Sequence, residues 1–164
     1  MTSSRVVPTL MICLCLFAGA VAAEPVIVNL KGQPDAVGNY TGDGKWTLVM
    51  VWSTACSACQ RETPSVNAYN ARNAGGRVHV VGVAINGYTR KAAIEAFREK
   101  YDMAFPTLVA DPRRFLGHFQ AKTGRAFKGT PTFLVYAPDG RLAGVNTGPI
   151  DLKRFDAFLD ANAG

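Results

Sequence analysis

The stretch that decides the fold is Val49-Met50-Val51-Trp52-Ser53-Thr54-Ala55-Cys56-Ser57-Ala58-Cys59-Gln60-Arg61-Glu62-Thr63-Pro64. It begins within an apolar run, Trp46 to Trp52, that predicts a strand buried on both faces. Two cysteines separated by two residues follow, and a helix-like segment begins at the pair. A Cys-x-x-Cys pair at a helix start, in an alternating strand and helix pattern, is typical of a redox site.

The position of the pair predicts different roles for the two cysteines. The first N–H groups of a helix have no intrahelical partner, and the helix dipole places partial positive charge at that end. A thiolate at Cys56 would be stabilised there, and its reactivity would rise. Cys59 lies further into the helix and is expected to be shielded, so it would attack a mixed disulfide on Cys56 and release the partner.

Two simpler interpretations of the pair stay open. A structural zinc site usually needs four ligands, and the spacing of His79 and His118 from the pair matches no zinc pattern. The other cysteines, Cys13 and Cys15, fall in a segment that we expect to be removed. A structural disulfide is the second alternative, although so small a loop constrains the unfolded chain little. We expect redox chemistry that needs neither a metal nor a cofactor.

Length and composition indicate one globular domain. The chain has 164 residues, with 48% hydrophobic and 18% charged residues. The net charge is +6, and the basic residues are interpreted as dispersed along the sequence. Because a nucleic-acid-binding surface concentrates its basic residues, no nucleic-acid partner is expected. The positive charge favours an acidic partner surface weakly, and we expect a monomer.

The first 23 residues resemble a secretory signal peptide. Arg5 supplies the positive start, residues 10–18 form a short apolar run, and residues 20–23 are small enough for cleavage. We therefore expect a signal peptide at 1–23 and a single domain at 24–164 that resides in the periplasm. An uncleaved N-terminal membrane anchor is the alternative.

The remaining chain alternates between strand-like and helix-like segments. The pattern predicts an edge strand within 24–29, buried strands at 46–52 and 77–85, an extended piece at 105–109, and hairpin strands at 130–136 and 141–146. It predicts helices at 57–73, 90–101, 112–119 and 152–162. Thr89, Asp111 and Asp151 are expected to cap the last three helices. This order predicts a mixed sheet with helices on both faces.

Two motifs connect the chain to a known family. The first consists of Trp52, Thr54, Cys56, Cys59, Glu62 and Pro64, and the second of Gly129, Pro131, Thr132 and the Asp139-Gly140 turn. With these motifs the chain resembles the thioredoxin-like superfamily, and within it the exported TlpA/ResA-type, DsbE-like thiol–disulfide oxidoreductases. The resemblance covers nearly all of residues 25–162. It implies an α/β thioredoxin fold, a mixed central sheet flanked by helices, with an N-terminal extension and a TlpA-type strand–helix insertion.

The resemblance also implies the residues of the site. Cys56 and Cys59 are the implied catalytic pair. Substrate contacts are expected at Trp52, Ala55, Ser57, Ala58, Thr130 and Pro131. The Thr130–Pro131 bond is expected to be cis, with the backbone before the proline pairing with the substrate chain as a short added strand.

Two positions depart from the related proteins. Ala55 stands where the family usually has a tryptophan, and Met50 stands where thioredoxin has a buried aspartate that assists proton transfer to the second cysteine. Glu62 is the nearest carboxylate in sequence, but we expect its side chain to face solvent.

The function implied by the resemblance is that of a periplasmic thiol–disulfide oxidoreductase. It would reduce disulfides of partner proteins through Cys56-Ser57-Ala58-Cys59. Reduction is favoured over oxidation because Ser57 and Ala58 provide no cation that would strongly stabilise the thiolate. Apo-cytochrome c or a copper-site protein is the implied partner, and a membrane thiol transporter would donate the electrons.

Two other functions use the same cysteines. A thioredoxin-like Cu(I) metallochaperone would bind copper with a soft thiolate pair. Such carriers usually space their cysteines by three and add a histidine, and neither feature is clear in this chain. A peroxidase needs a Pro/Thr-rich motif before its reactive cysteine, and that motif is absent before Cys56.

Overall fold

A computed structural model describes residues 26–162, so the predicted signal peptide at 1–23 lies outside the described residues. The strands are β1 (Ile27–Asn29), β2 (Trp46–Trp52), β3 (Val78–Ala84), β4 (Thr107–Ala110), β5 (Thr132–Tyr136) and β6 (Leu142–Thr147). The helices are α1 (Ser57–Arg72), α2 (Lys91–Lys100), α3 (Pro112–Thr123) and α4 (Leu152–Ala161). None of the helices in this described part of the chain is long and apolar enough to cross a bilayer.

The strands form the mixed sheet that the sequence predicted, and the structure shows that their order is β1-β4-β3-β2-β5-β6. β3 is parallel to both β2 and β4, whereas β5 is antiparallel to β2. The parallel strands therefore end at one edge of the sheet, and β5 begins at the same edge. We call this the carboxyl edge. Loops that follow parallel strands meet at such an edge, which is where α/β proteins place their sites.

The core holds β2 rigidly from both faces, and all seven of its residues are buried. Leu48 and Met50 pack with α1, α2 and α4 on one face of the sheet. Val49 and Val51 pack with α3 on the other face. Burial of apolar surface on both sides contributes about 25 cal/mol per Å². β2 is therefore a fixed support for the cysteine loop that follows it.

Local signals located the helices, with two corrections. Asp111 caps α3 and Asp151 caps α4, since each carboxylate accepts hydrogen bonds from two amides of the first turn. Thr89 does not cap α2, because the chain enters a 3₁₀ turn at Tyr88–Arg90 that moves the helix start to Lys91. α3 continues to Thr123 rather than 119, and it ends where Gly124 adopts a left-handed φ of 67°.

Gly82 makes room in β3 for the last side chain of β2. A Cβ atom at Gly82 would lie 3.0 Å from Nε1 of Trp52 and 3.1 Å from Cε2 of Phe105. Trp52 is also fixed from its ring face, where it stacks on Phe97 with centroids 4.6 Å apart. The space beside Gly82 is therefore already filled by aromatic rings.

We predict that Gly82→Ala lowers the free energy of unfolding by about 1–3 kcal/mol, because an overpacked core strains its neighbours. Urea unfolding followed by circular dichroism measures this loss. Gly144→Ala is the matched control, since its added Cβ meets only Val135 at an ordinary 3.9 Å. Equal stability of the two variants would contradict the packing described for Gly82.

Candidate active site

The two cysteines lie in the loop that joins β2 to α1 at the carboxyl edge, where a disulfide connects them. Cys56 has extended backbone and is the N-cap residue of α1. Cys56 is half-buried, whereas Cys59 in the first helical turn is fully buried. The predicted shielding of the second cysteine is therefore confirmed.

The sulfur of Cys56 receives a hydrogen bond from the helix that it begins. The backbone N–H of Cys59 donates to Cys56 Sγ at 3.0 Å. This amide belongs to the first turn of α1 and would otherwise have no intrahelical acceptor. The bond and the positive end of the helix dipole both favour negative charge on the sulfur. After reduction of the disulfide, this position stabilises a Cys56 thiolate.

A second loop, which leads into β5, approaches the same sulfur. The Thr130–Pro131 peptide bond is cis, and the Thr130 carbonyl oxygen lies 3.4 Å from Cys56 Sγ. The hydroxyl of Thr132 donates to the Gly129 carbonyl at 2.6 Å, and the Gly148 amide donates to the Pro131 carbonyl at 2.8 Å. These bonds hold the main chain of Thr130 against the cysteine.

The side chain of Asn86 holds the segment between β2 and the cysteines in place through hydrogen bonds. Its Oδ1 accepts a hydrogen bond from the Thr54 amide at 3.2 Å. Its Nδ2 donates to the hydroxyls of Ser53 at 3.2 Å and Thr54 at 2.9 Å. The carbonyl of Ser53 in turn accepts from the Cys56 amide at 3.1 Å. The side chain of Asn86 thus connects the end of β3 to the loop that presents Cys56.

The sequence analysis missed this residue, because Asn86-Gly87 also fits a simple strand-ending turn. The sequence did contain a signal that could have identified Asn86 as part of the site. Asn86 follows the strand that the pattern predicts beside β2, so both carboxyl ends were expected at one edge. A polar side chain at that point can reach the neighbouring loop.

Glu62 does not face solvent as expected. Its side chain is half-buried, and Oε1 accepts a hydrogen bond from the Ile150 amide at 3.0 Å. Residue 62 lies on the side of α1 that faces the loop before α4, so the carboxylate satisfies a backbone donor there. The prediction of an exposed Glu62 is therefore wrong.

The expected substrate contacts are only partly accessible. Ala55 and Ser57 are exposed, and Ala58 and Thr130 are half-buried around Cys56. Trp52 is fully buried under the loop, so its expected contact with substrate is wrong and it serves the core instead. Pro131 itself is buried, which leaves the main chain of Thr130 as the accessible part of its loop.

The histidines considered as zinc ligands lie elsewhere. His79 is in β3, and its Nε2 lies 2.7 Å from Oδ2 of Asp43. His118 is on α3, which covers the face of the sheet opposite to α1. Within residues 26–162, no three His, Cys, Asp or Glu side chains form a group that could hold a metal ion.

This fold and this site define a class. A mixed sheet with a Cys-x-x-Cys disulfide at a helix N-terminus, facing a cis-proline loop, is the arrangement of thioredoxin-fold thiol–disulfide oxidoreductases. Residues 19–145 match the AhpC/TSA family, and the chain belongs to this family. Its relatives within this family support the TlpA/ResA-type assignment that the motifs implied.

Curated relatives carry the same activity in their names. The chain is 23% identical over 143 residues to the thiol–disulfide oxidoreductase ResA of Geobacillus kaustophilus, covering 87% of this chain and 76% of the relative. It is 28% identical over 143 residues to ResA of Bacillus subtilis, covering 87% and 74%. The chain is accordingly a thiol–disulfide oxidoreductase.

A solved structure shows the same fold. The secreted disulfide oxidoreductase of Mycobacterium tuberculosis, described as homologous to DsbE of E. coli, superposes with a TM-score of 0.62 at 21% identity. The superposition covers 84% of this chain and 96% of that structure.

We predict that Asn86→Ala lowers the free energy of unfolding of the oxidised protein by about 1–3 kcal/mol, because it leaves the Thr54 amide without its acceptor. Denaturant unfolding measures this loss. Asn86→Asp is the matched control, because a carboxylate keeps the acceptor and both hydroxyls can rotate to donate to it. If Asn86→Ala is as stable as the wild type, Asn86 does not hold the loop.

Proposed function

We propose that this protein is an exported disulfide reductase in which Cys56 attacks the partner and Cys59 resolves the complex. The proposal rests on one observation, the set of contacts that the structure gives to Cys56 Sγ. Cys56 is only half-buried, and its sulfur accepts a hydrogen bond from the Cys59 amide at 3.0 Å and lies 3.4 Å from the Thr130 carbonyl oxygen. A nucleophilic sulfur needs both a stabilised thiolate and a surface that a substrate can reach.

The reaction has two exchange steps. The Cys56 thiolate attacks one sulfur of the partner disulfide, so that the partner S–S bond breaks and a bond from Cys56 to the partner forms. The Cys59 thiolate then attacks Cys56 Sγ, which forms the Cys56–Cys59 bond and releases the second partner thiolate. Two electrons pass from the protein dithiol to the partner, and the two thiol protons end on the partner thiols. The disulfide in the structure is the oxidised end of this cycle.

The partner chain binds between the two loops at the carboxyl edge. Ala55, Ser57 and Ala58 form the surface on the side of the helix. On the other side, the main chain of Thr130, directed by Pro131, offers hydrogen-bonding groups to an extended segment. Backbone pairing of this kind accepts many sequences, which suits an enzyme that acts on folded or unfolded proteins.

Reduction is the proposed direction. Strong oxidants have an unusually stabilised reduced form. In this chain the dipeptide Ser57-Ala58 between the cysteines supplies no cation, so the amide of Cys59 and the helix dipole provide the stabilisation. That is a moderate contribution, of the size expected for a helix N-terminus.

The compartment and partners follow from the N-terminal sequence and from the family resemblance. Residues 1–23 have the composition of a signal peptide, which supports export to the periplasm. Because that compartment is kept oxidising, a membrane thiol donor would have to reduce the pair after each turnover. Apo-cytochrome c or a copper-site protein is the proposed type of partner. A Cu(I) chaperone is not favoured, since the named relatives are oxidoreductases.

We predict that the Cys56/Cys59 couple has a reduction potential closer to the about −270 mV of thioredoxin than to the about −120 mV of DsbA. Equilibration with glutathione mixtures, followed by alkylation and mass spectrometry, measures this value. Cys59→Ser cannot form the internal disulfide, so it is the control for mixed disulfides between Cys56 and glutathione. A potential near that of DsbA would contradict the proposed direction.

A further inference from the structure

The basic residues were interpreted above as dispersed, but one stretch of the sequence concentrates them. Residues 112–138 contain five Lys or Arg and no Asp or Glu, so this stretch alone carries most of the net charge of +6. The five cations are Arg113, Arg114, Lys122, Arg125 and Lys128. These five cations lie on α3 and in the loop that leads to the cis-proline. The last cation therefore lies close in sequence to the substrate groove.

The loop before the cis-proline is anchored by one aromatic side chain. Phe127 packs edge-on against Phe115 and Phe119 of α3, with ring centroids 5.4 and 5.1 Å apart. Because Phe127 points inward, its neighbours Ala126 and Lys128 are exposed. Lys128 thus projects from a fixed loop, two residues before Thr130.

A shallow recess of about 380 Å³ opens beside this loop. It is lined by Phe119, Arg125, Ala126, Lys128, Val145 and Thr147. Thr147 pairs with Thr132 in the sheet, and Thr132 directly follows Pro131. The recess therefore lies next to the place where an added substrate strand would run.

The two cations that line this recess, Arg125 and Lys128, and the nearby Lys122 of α3 are not neutralised by the described part of the chain. Within residues 26–162, the six ion pairs include neither Lys122 nor Arg125 nor Lys128. The side chains of these three residues also make no hydrogen bond to that part of the chain. The pKa of His118 is lowered by burial and, to a smaller extent, by the positive charge of Lys122. These three cations therefore leave the C-terminal turn of α3 and the loop after it positively charged.

We propose that this basic recess binds acidic side chains of the partner polypeptide, two or three residues from its reacting cysteine. The inference rests on the proposed function, because the groove between Cys56 and Thr130 must hold the partner chain. Strand residues are spaced about 3.3 Å apart, so a segment paired at Thr130 passes Lys128 within two or three residues. Charge complementarity at this distance increases the rate of association more than it increases the equilibrium affinity. The enzyme would therefore select disulfides that are flanked by Asp or Glu.

The test uses short peptides whose single cysteine is joined to glutathione by a disulfide. Each peptide carries two Asp, two Ser or two Lys at the second and third positions from the cysteine. One set of peptides places the pair before the cysteine, and a second set places it after the cysteine. The wild type is first reduced and freed of reductant, so that each molecule supplies two electrons once. We expect its second-order rate constant to be about threefold to tenfold higher for the Asp peptide than for the Ser peptide at low salt, in one of the two placements. This ratio should fall towards one at high salt.

Charge reversal identifies the residues responsible. Lys128→Glu, and more strongly Arg125→Glu combined with Lys128→Glu, should lower the Asp-to-Ser ratio to one or below and favour the Lys peptide. Lys45→Glu is the matched control, because it makes the same charge change before β2, at the end of the strand opposite to Cys56. Lys45→Glu should keep the ratio of the wild type.

The outcomes separate this inference from the proposed function. Failure of the wild type to reduce the Ser peptide would overturn the proposed function. Reduction of all peptides at equal rates, or a ratio unchanged by Lys128→Glu, would overturn the basic recess alone. Stronger inhibition of the Ser-peptide reaction by an oligonucleotide or by anionic vesicles than by an unreactive Asp peptide would also overturn it, because the recess would then bind another class of anion.

Discussion

The hydrogen bond from the Cys59 amide to Cys56 Sγ is the interaction on which the site depends. It exists only because Cys56 occupies the N-cap position, where a side-chain acceptor meets the free amides of the first turn. The same geometry leaves Cys56 half-buried and buries Cys59 fully. One helix start therefore supports both proposed roles, a stabilised nucleophile at Cys56 and a shielded resolving group at Cys59, within four residues of sequence.

The position of that helix start is set by the sheet. β2 is buried along its whole length, and its parallel neighbour β3 brings Asn86 to the same edge. Asn86 holds Ser53 and Thr54, and the antiparallel β5 begins at the same edge, directly after Thr130 and Pro131. Three segments far apart in sequence thus converge on one sulfur. The basic recess belongs to the third segment, so recognition and chemistry share one edge of the sheet.

The sequence was most informative where the signal is local. The apolar run of β2, the helix that begins at Cys56 and the caps Asp111 and Asp151 follow from neighbouring residues, and all four are confirmed. The errors at Trp52 and Glu62 have a different origin, since each depends on what another element packs against that side chain. Asn86 was missed for the same reason, because its hydrogen bonds cross 32 and 33 positions of sequence. The basic stretch was visible in the sequence. Only the structure shows that the loop anchored by Phe127 places its cations beside the groove between Cys56 and Thr130.

The central claim is that Cys56 attacks and Cys59 resolves, and trapping of the mixed disulfide tests it most directly. Purified Cys59→Ser and Cys56→Ser variants are reduced and mixed with a peptide disulfide, and the products are weighed by mass spectrometry under non-reducing conditions. The predicted result is a stable adduct on Cys56 of the Cys59→Ser variant, and little adduct on the buried Cys59 of the other variant. An adduct that forms on Cys59 as fast as on Cys56 would contradict the division of roles drawn from the helix start.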